Sequence, residues 1–589
     1  MRSIRTRTER ALGVLAAVVA LATSGCSKDG VRPPIGHARD IPPQHGGVLH
    51  TAFFVDVRSL DSATAFDTGS AAIELLIYDT LVSYDQKGHM KPLLAESVDV
   101  SPDGRHYTFT LRRGVVMQDG NELQASDVKR SLERVLDSGT PCPVPSFYDR
   151  IAGYKAFHNG KAKHLAGVRV TGDYTVVIDL AEPDATFMQK MALPITAPVC
   201  RTAGRKYNRE FSPCGAGAYK LVRFEHGQVI ELERNQGYWQ KGKPYLDRIV
   251  WYLSMQSYTQ RFKFEDGQID YMREFNEADS MLYRSAKSWR GMGAWEPSML
   301  TAGVFLNCQM APFDNLHMRR AVTFAINRKQ IASVRPGHVR PQYKVVPNAI
   351  IPESPGYPGQ RYDYQRALEE MRLAGYPYDP KTGKGGYPHT IGYLAVLDAF
   401  SSQSAQIVQQ QLARIGIHIE IQVVGYPTYL AKAGRKHTVQ MGVVGWNADY
   451  PDASDFFEPI LSTSAIQPEN SQNAAFFSNK ELDALLVKAR DSQDQAARLG
   501  MYRHAEQIVA DQAPWATTHS YRYFELWQPY VHGYRPNPIL QQDVRNMWFD
   551  TAERKRALAD NCLGPIRALS RLCRRGRAGS TIALALGSR

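Results

Sequence analysis

Apolar residues recur along this chain in two periods. One is the two-residue alternation of half-buried strands and the other the 3.6-residue spacing of amphipathic helices. Tyr107, Phe109 and Leu111 alternate with Thr and Arg, which predicts a strand between a Ser101-Pro-Asp-Gly104 turn and an Asp119-Gly120 turn. A helix over 128–136 follows, opened by Ser126 or Asp127. Residues 168–180 read as a hairpin around a Gly-Asp turn, and 187–193 as a short apolar helix. Residues 229–234 read as a strand, and a second half of the chain begins near Val304 with a strand, a loop and one helix over 318–331. A helix over 363–374 precedes a turn-rich loop at 375–389. Residues 390–396, 402–415 and 417–424 then form a strand, a crossover helix and a parallel strand, the unit of an α/β lobe. An apolar strand at 441–446, two helices within 479–510 and a late strand at 520–527 complete the pattern.

At 589 residues the chain exceeds a single core and divides into lobes. Its 43% apolar and 22% charged residues exclude wholesale disorder. The net charge of +13 suggests nucleic acid at first sight, but +3 of it sits in residues 1–25 and +7 in 553–589. The body between them is close to neutral with interspersed signs, so no phosphate groove is implied and no nucleic-acid partner is expected.

Four arginines (Arg2, Arg5, Arg7 and Arg10) precede the apolar run 11–22, the layout of a signal peptide and too short to span a membrane. Cleavage after Ala22 competes with lipidation of Cys26 in Thr23-Ser-Gly-Cys26, which resembles a lipobox with Thr23 in the usual Leu position. The lipoprotein reading gives a signal peptide at 1–25 and a Pro- and Gly-rich tether at 26–45. Six further cysteines are Cys142, Cys200, Cys214, Cys308, Cys562 and Cys573. In an exported chain they permit disulfides, with Cys200 and Cys214 the best pair by sequence, or they remain buried thiols. Residues 553–589 mix arginine clusters with short apolar stretches and read as a disordered basic tail, with a membrane-surface or nucleic-acid arm as the sharper alternative.

No nucleophile elbow, zinc-protease motif or P-loop occurs, and the 16 histidines are scattered singly. The Gly215-Ala-Gly217 pair lacks the third glycine of a dinucleotide fingerprint, and no Cys-x-x-Cys spacing suggests a metal. Catalysis has no positive case, and no cofactor or metal is expected.

Several short stretches occur in a telling order. They are Ala95-Glu-Ser97, Ser101-Pro-Asp-Gly104, Tyr107-Thr-Phe-Thr-Leu-Arg112 with Gly114-Val115, Asp119-Gly120 and Ala125-Ser-Asp-Val128. Cys214-Gly-Ala-Gly-Ala-Tyr219, Asn235-Gln-Gly-Tyr-Trp239, Pro312-Phe-Asp314 and Gly445-Trp-Asn-Ala-Asp-Tyr450 follow. The series resembles the signature of bacterial extracytoplasmic solute-binding proteins of family 5, with Val98, Met117 and Ala218 in place of the family's Trp, Phe and Pro. The match runs from about Gly46 to Trp548.

The resemblance implies a two-lobe periplasmic-binding-protein fold of type II with an extra inserted lobe. Lobe I would comprise 46–80, 196–300 and 525–552, the insert 81–195, and lobe III 301–524. It also implies a function, the capture of oligopeptides or dipeptides outside the cytoplasmic membrane for an ABC importer permease. Relatives that take nickel chelates, haem, sugars or antimicrobial peptides keep other solutes open. The expected form is a monomer in the periplasm or on the outer face of the cytoplasmic membrane, anchored by lipid. In the family the aspartate of the G-W-x-A-D-Y stretch pairs with the ligand's ammonium group. Carried over, Asp449 is the anchor, Trp446, Asn447 and Ala448 form the strand edge to which a peptide adds, and Tyr450 completes the motif. A plain helix or turn cap is the other reading of Asp449. The same resemblance puts Phe66, Asp67 and Thr68 on the opposite wall and brings Phe147 or Tyr148 to the ligand, unless these aromatics are ordinary packing.

Overall fold

The computed structural model describes residues 41–559, apart from 86–87, 274–276, 287–288, 290, 297–298, 353–358, 538 and 541. The expected signal peptide, Cys26, the tether up to residue 40 and the tail from 560 on lie outside the described residues, as do Cys562 and Cys573.

Three sheets organise the chain. Val48–Ala52 runs parallel to Arg248–Tyr252, which pairs with Val229–Arg234 and through it with Tyr219–Glu225. The helix Thr68–Ile77 lays Ile73, Leu76 and Ile77 into the core made by Leu49, Ile249 and Trp251. A second, antiparallel sheet has the order Ala95–Val100, His106–Leu111, Thr175–Asp179, Val168–Gly172. Its inward residues Tyr107, Phe109, Val176 and Ile178 pack with Val128 and Leu132 of the helix Ala125–Leu136. The third sheet is mixed and six-stranded. Its order is Val339–Pro341, Trp515–Tyr521, Leu300–Leu306, Met441–Asn447, Ile391–Val396, Ile419–Val424. The last two of these are parallel and joined by the helix Ala399–Ala413, the expected crossover unit.

The shared motifs meet as contacts. Asp79, buried, accepts hydrogen bonds from Tyr238 Oη (2.9 Å) and Trp239 Nε1 (2.8 Å), so two stretches 160 residues apart lock together. Gly217 lies so close to the end of Thr68–Ile77 that a Cβ would stand 2.3 Å from the Ile77 carbonyl carbon. Its glycine therefore serves backbone packing. Asp61 receives both arms of buried Arg134 at 2.8 and 2.6 Å, which ties the loop before Phe66 to the inserted sheet's helix.

Four stretches differ from expectation. The helix expected over 318–331 is two, Leu316–Ala325 and Arg328–Ala332, because Asn327 leaves the helix and caps the second through Lys329 N and Gln330 N. The single strand expected over 520–527 is the end of Trp515–Tyr521 and a separate strand, Phe524–Trp527, in a small sheet with Tyr271–Met272 and Gly293–Trp295. The apolar helix at 187–193 is helical only over Phe187–Lys190. Residues 553–559, expected to belong to a disordered tail, continue a helix that starts at 551. Asp550 caps it through Glu553 N (2.9 Å), and Arg554 fastens it by donating to the Val48 carbonyl (2.8 Å).

Candidate binding site

Met441–Asn447 pairs along its whole length with Leu300–Leu306. On its other side only Met441 and Gly442 meet a strand, opposite Tyr393 and Leu394. Ala448 N–H donates to the Met299 carbonyl (3.0 Å). In an antiparallel pair alternate residues turn both backbone groups to the same neighbour, so Gly445 and Asn447 turn theirs the other way. There Ile391–Val396 no longer pairs, and the result is an open strand edge beside a cavity of about 680 Å³. Phe53–Val55, Arg58 and 66–69 line one side of this cavity. Val443–Asn447, Asp449, Tyr426 and Tyr429 line the other.

Three carboxylates reach the cavity wall, and two are occupied. Asp67 caps the helix Thr68–Ile77, accepting from Ser70 N (3.0 Å) and Ser70 Oγ (2.7 Å). Asp398 caps Ala399–Ala413 through Ser401 N (2.9 Å). Asp449 caps nothing and meets no cation, and its buried Oδ2 has no hydrogen-bond partner among the described residues. Burial pushes its carboxyl well above the usual carboxylate range, and the neighbouring Asp455 side chain works the other way. Asp455 is fully buried in the helix Ser454–Leu461. Its Oδ2 accepts from Asp449 N (2.8 Å) and Trp446 Nε1 (3.3 Å), and its Oδ1 has no partner. Burial and then the Asp449 charge raise its carboxyl well above the usual range.

Phe66, Asp67, Thr68, Trp446, Asn447 and Asp449 thus share one cavity. Phe66 and Trp446 face each other at 6.1 Å between ring centroids. The remaining expected residues lie behind the wall. Phe147 and Tyr148 are buried and do not line it. Phe147 packs edge-on to Phe66 (6.0 Å) and Tyr450 (5.9 Å), and Tyr148 Oη donates to the Lys190 carbonyl (2.9 Å). Tyr450 is fully buried beside Ser454 Oγ (3.2 Å), and Ala448 gives its N–H to Met299 instead of to the open edge. These four support the cavity from the core because large aromatics and small apolar residues there gain more from burial than from the wall.

The family model for bacterial extracellular solute-binding proteins, family 5, matches residues 89–500. The chain belongs to this family. It is 30% identical over 464 residues to the glutathione-binding protein GsiB of Escherichia coli (strain K12), covering 78% of this chain and 86% of that one. Its fold resembles the periplasmic binding protein DppA of Helicobacter pylori, in complex with the peptide STSA, with a TM-score of 0.75 and 26% identity over 86% of this chain and 99% of that one. It also resembles the binding protein AgaA in complex with agropinic acid from A. tumefacien R10, with a TM-score of 0.74 and 22% identity over 86% and 99% of the two chains.

As a family 5 protein it is the solute-binding component of an ABC importer, and its family binds rather than catalyses. Its relatives are extracytoplasmic. No described helix is long and apolar enough to cross a membrane. Cys200 and Cys214 form a disulfide, while Cys142 and Cys308 are thiols. One histidine–carboxylate group, His532, Asp550 and Glu553, brings its ligand atoms within 4.8 Å of one another, away from the cavity, where Asp550 caps the last described helix.

Two site features were not read from the sequence. Arg58 Nη1, on the cavity wall, donates to Asn470 Oδ1 (2.7 Å) of the same wall, joining residues 412 apart, which no local pattern reveals. Asp455 stands six residues after Asp449 and reads locally as a first-turn helix acid.

Proposed function

We propose that this protein captures short peptides with a free α-ammonium group outside the cytoplasmic membrane and delivers them to an ABC permease. One observation carries the reading: Asp449 is the cavity carboxylate that neither caps a helix nor meets a cation. A buried carboxylate is costly until a partner arrives, and an ammonium group supplies both charge and hydrogen bonds. The open edge at Gly445 and Asn447 suits main-chain pairing with an extended peptide, which gives affinity with little dependence on side chains. A cavity of about 680 Å³ suits a ligand of a few residues. Phe66 and Trp446 then flank the ligand, with Asp67 and Thr68 presenting the end of a helix on the facing wall.

The same reading makes residues 1–25 a signal peptide and Cys26 a lipidated anchor, with the protein acting as a monomer. A second solute class is supported by AgaA, a protein of similar fold whose structure is in complex with agropinic acid. Mass spectrometry of the small molecules released on denaturing the purified protein separates them. Short peptides with unblocked amino ends are expected. A recurrent solute without an amine would overturn the peptide reading.

A further inference from the structure

The amine anchor is one carboxylate, but a second stands beside it: half-buried Asp449 meets fully buried Asp455. Asp449 N–H donates to Asp455 Oδ2 at 2.8 Å, which sets the Asp455 carboxyl against Asp449, and the Asp449 charge bears on it. Neither forms an ion pair with a described residue, and each has one buried oxygen without a hydrogen-bond partner. Two neighbouring carboxylates, one of them fully buried, repel each other when both are ionised, and retaining one proton between them relieves the repulsion.

The groups packed around the pair leave it alone. Asp452, on the connecting turn, is held by Arg498 (2.6 Å). Glu458, one turn further along the helix, meets Lys190 (2.9 Å). Tyr84, Tyr148 and Tyr450 face the pair from the inserted sheet's side and from the motif itself, and burial keeps all three phenols neutral. Trp446 Nε1 donates a neutral hydrogen bond. Arg498 and Lys190 therefore each have another carboxylate as partner.

We infer that Asp449 and Asp455 hold one proton between them when the site is empty and release it to solvent when a ligand ammonium group enters. The empty pair carries one negative charge and one proton. The filled pair carries two negative charges against the ligand's positive one, and the proton leaves for the buffer. Asp455 is thereby a positioning residue: it presents Asp449 and makes capture depend on pH. This rests on the ammonium reading above, and the test separates the two.

Two measurements on the full chain decide it. The first needs no ligand. A carboxyl whose proton affinity is raised by folding stabilises the fold below the ordinary carboxyl range, and that stability is lost as pH rises through the folded value. Between about pH 4 and about pH 8 the wild-type thermal midpoint should fall relative to a D449N/D455N double variant, by the slope of about one proton. Parallel pH profiles would overturn the inference whatever the ligand is.

The second is calorimetry of trialanine in buffers of different ionisation enthalpy. Near pH 6 wild type should release about one proton per trialanine bound, and affinity should rise about tenfold per pH unit. D455N should still bind trialanine but release well under one proton. Binding of trialanine to wild type without proton release would overturn the inference and leave the amine anchor standing. Failure of trialanine to bind, with the ligand-free slope present, would count against the peptide reading and support the proton pair.

Discussion

Two carboxylate clusters lie a helical turn apart on Ser454–Leu461, and they are built in opposite ways. At Glu458 every acid has a cation. Lys190, fully buried, bridges Asp184 (3.1 Å) and Glu458 (2.9 Å), and Arg490 bridges Asp184 (2.9 Å) and Asp149 (2.7 Å). Burial there works against ionisation, yet Lys190 and Arg490 hold the Asp184 carboxyl well below its usual range. At Asp455 and Asp449 no cation arrives, and both carboxyls are raised by burial. The first cluster joins Asp149, Asp184 and Lys190 to the helices Ser454–Leu461 and Lys480–Asp491 and is complete in itself. The second opens on the cavity through Asp449, where the proposed ligand ammonium group would complete it. Pairing marks structure here, and missing pairing marks the site.

Breaking the complete cluster gives the largest expected effect. Lys190→Met leaves two buried acids short of a partner and should cost about 3–5 kcal/mol in a denaturant titration. Preference for amine-bearing ligands should not change, since Lys190 is not on the cavity wall. If that preference disappeared with the lysine, the two clusters would not be separable.

Asp449→Ala tests the incomplete one. Loss of a charge-assisted contact should weaken binding by about 2–3 kcal/mol, on the order of 100-fold, in calorimetry. Stability at neutral pH should hold or rise, because an uncompensated buried carboxyl has gone.

Asp452 stands on the turn between Asp449 and Asp455, and Arg498→Met sharpens the comparison there. Removing the guanidinium frees the Asp452 charge to act on Asp449 and Asp455, so their proton should be retained to higher pH. The effect should be about 1 kcal/mol, read as a shift in the pH dependence of the thermal midpoint. The smallest effect is expected from deleting residues 560–589, which should leave peptide affinity unchanged. A marked loss would bring the basic tail into the binding function.

What the sequence made legible was local. The strand 441–446 and the acid just past its carboxyl end follow from an apolar run and a motif, and Asp449 does reach the cavity. Phe66 to Thr68 were placed by the same kind of stretch. Whether an aromatic faces a ligand or a core depends on what packs from elsewhere, so Phe147, Tyr148 and Tyr450 could not be told from wall residues. Asp455 was invisible for a related reason: a helix acid becomes unusual only when its surroundings prove to hold no cation. The split helix at 318–331 was readable, since Asn327 is a strong cap, but the apolar spacing ran across it.

The most direct measurement uses the peptide recovered from the protein, offered to wild type with its amino end free and with it acetylated. Acetylation should cost about 100-fold or more in calorimetric affinity, and Asp449→Ala should bind both forms equally weakly. Equal, tight binding of both forms by wild type would contradict the amine anchor.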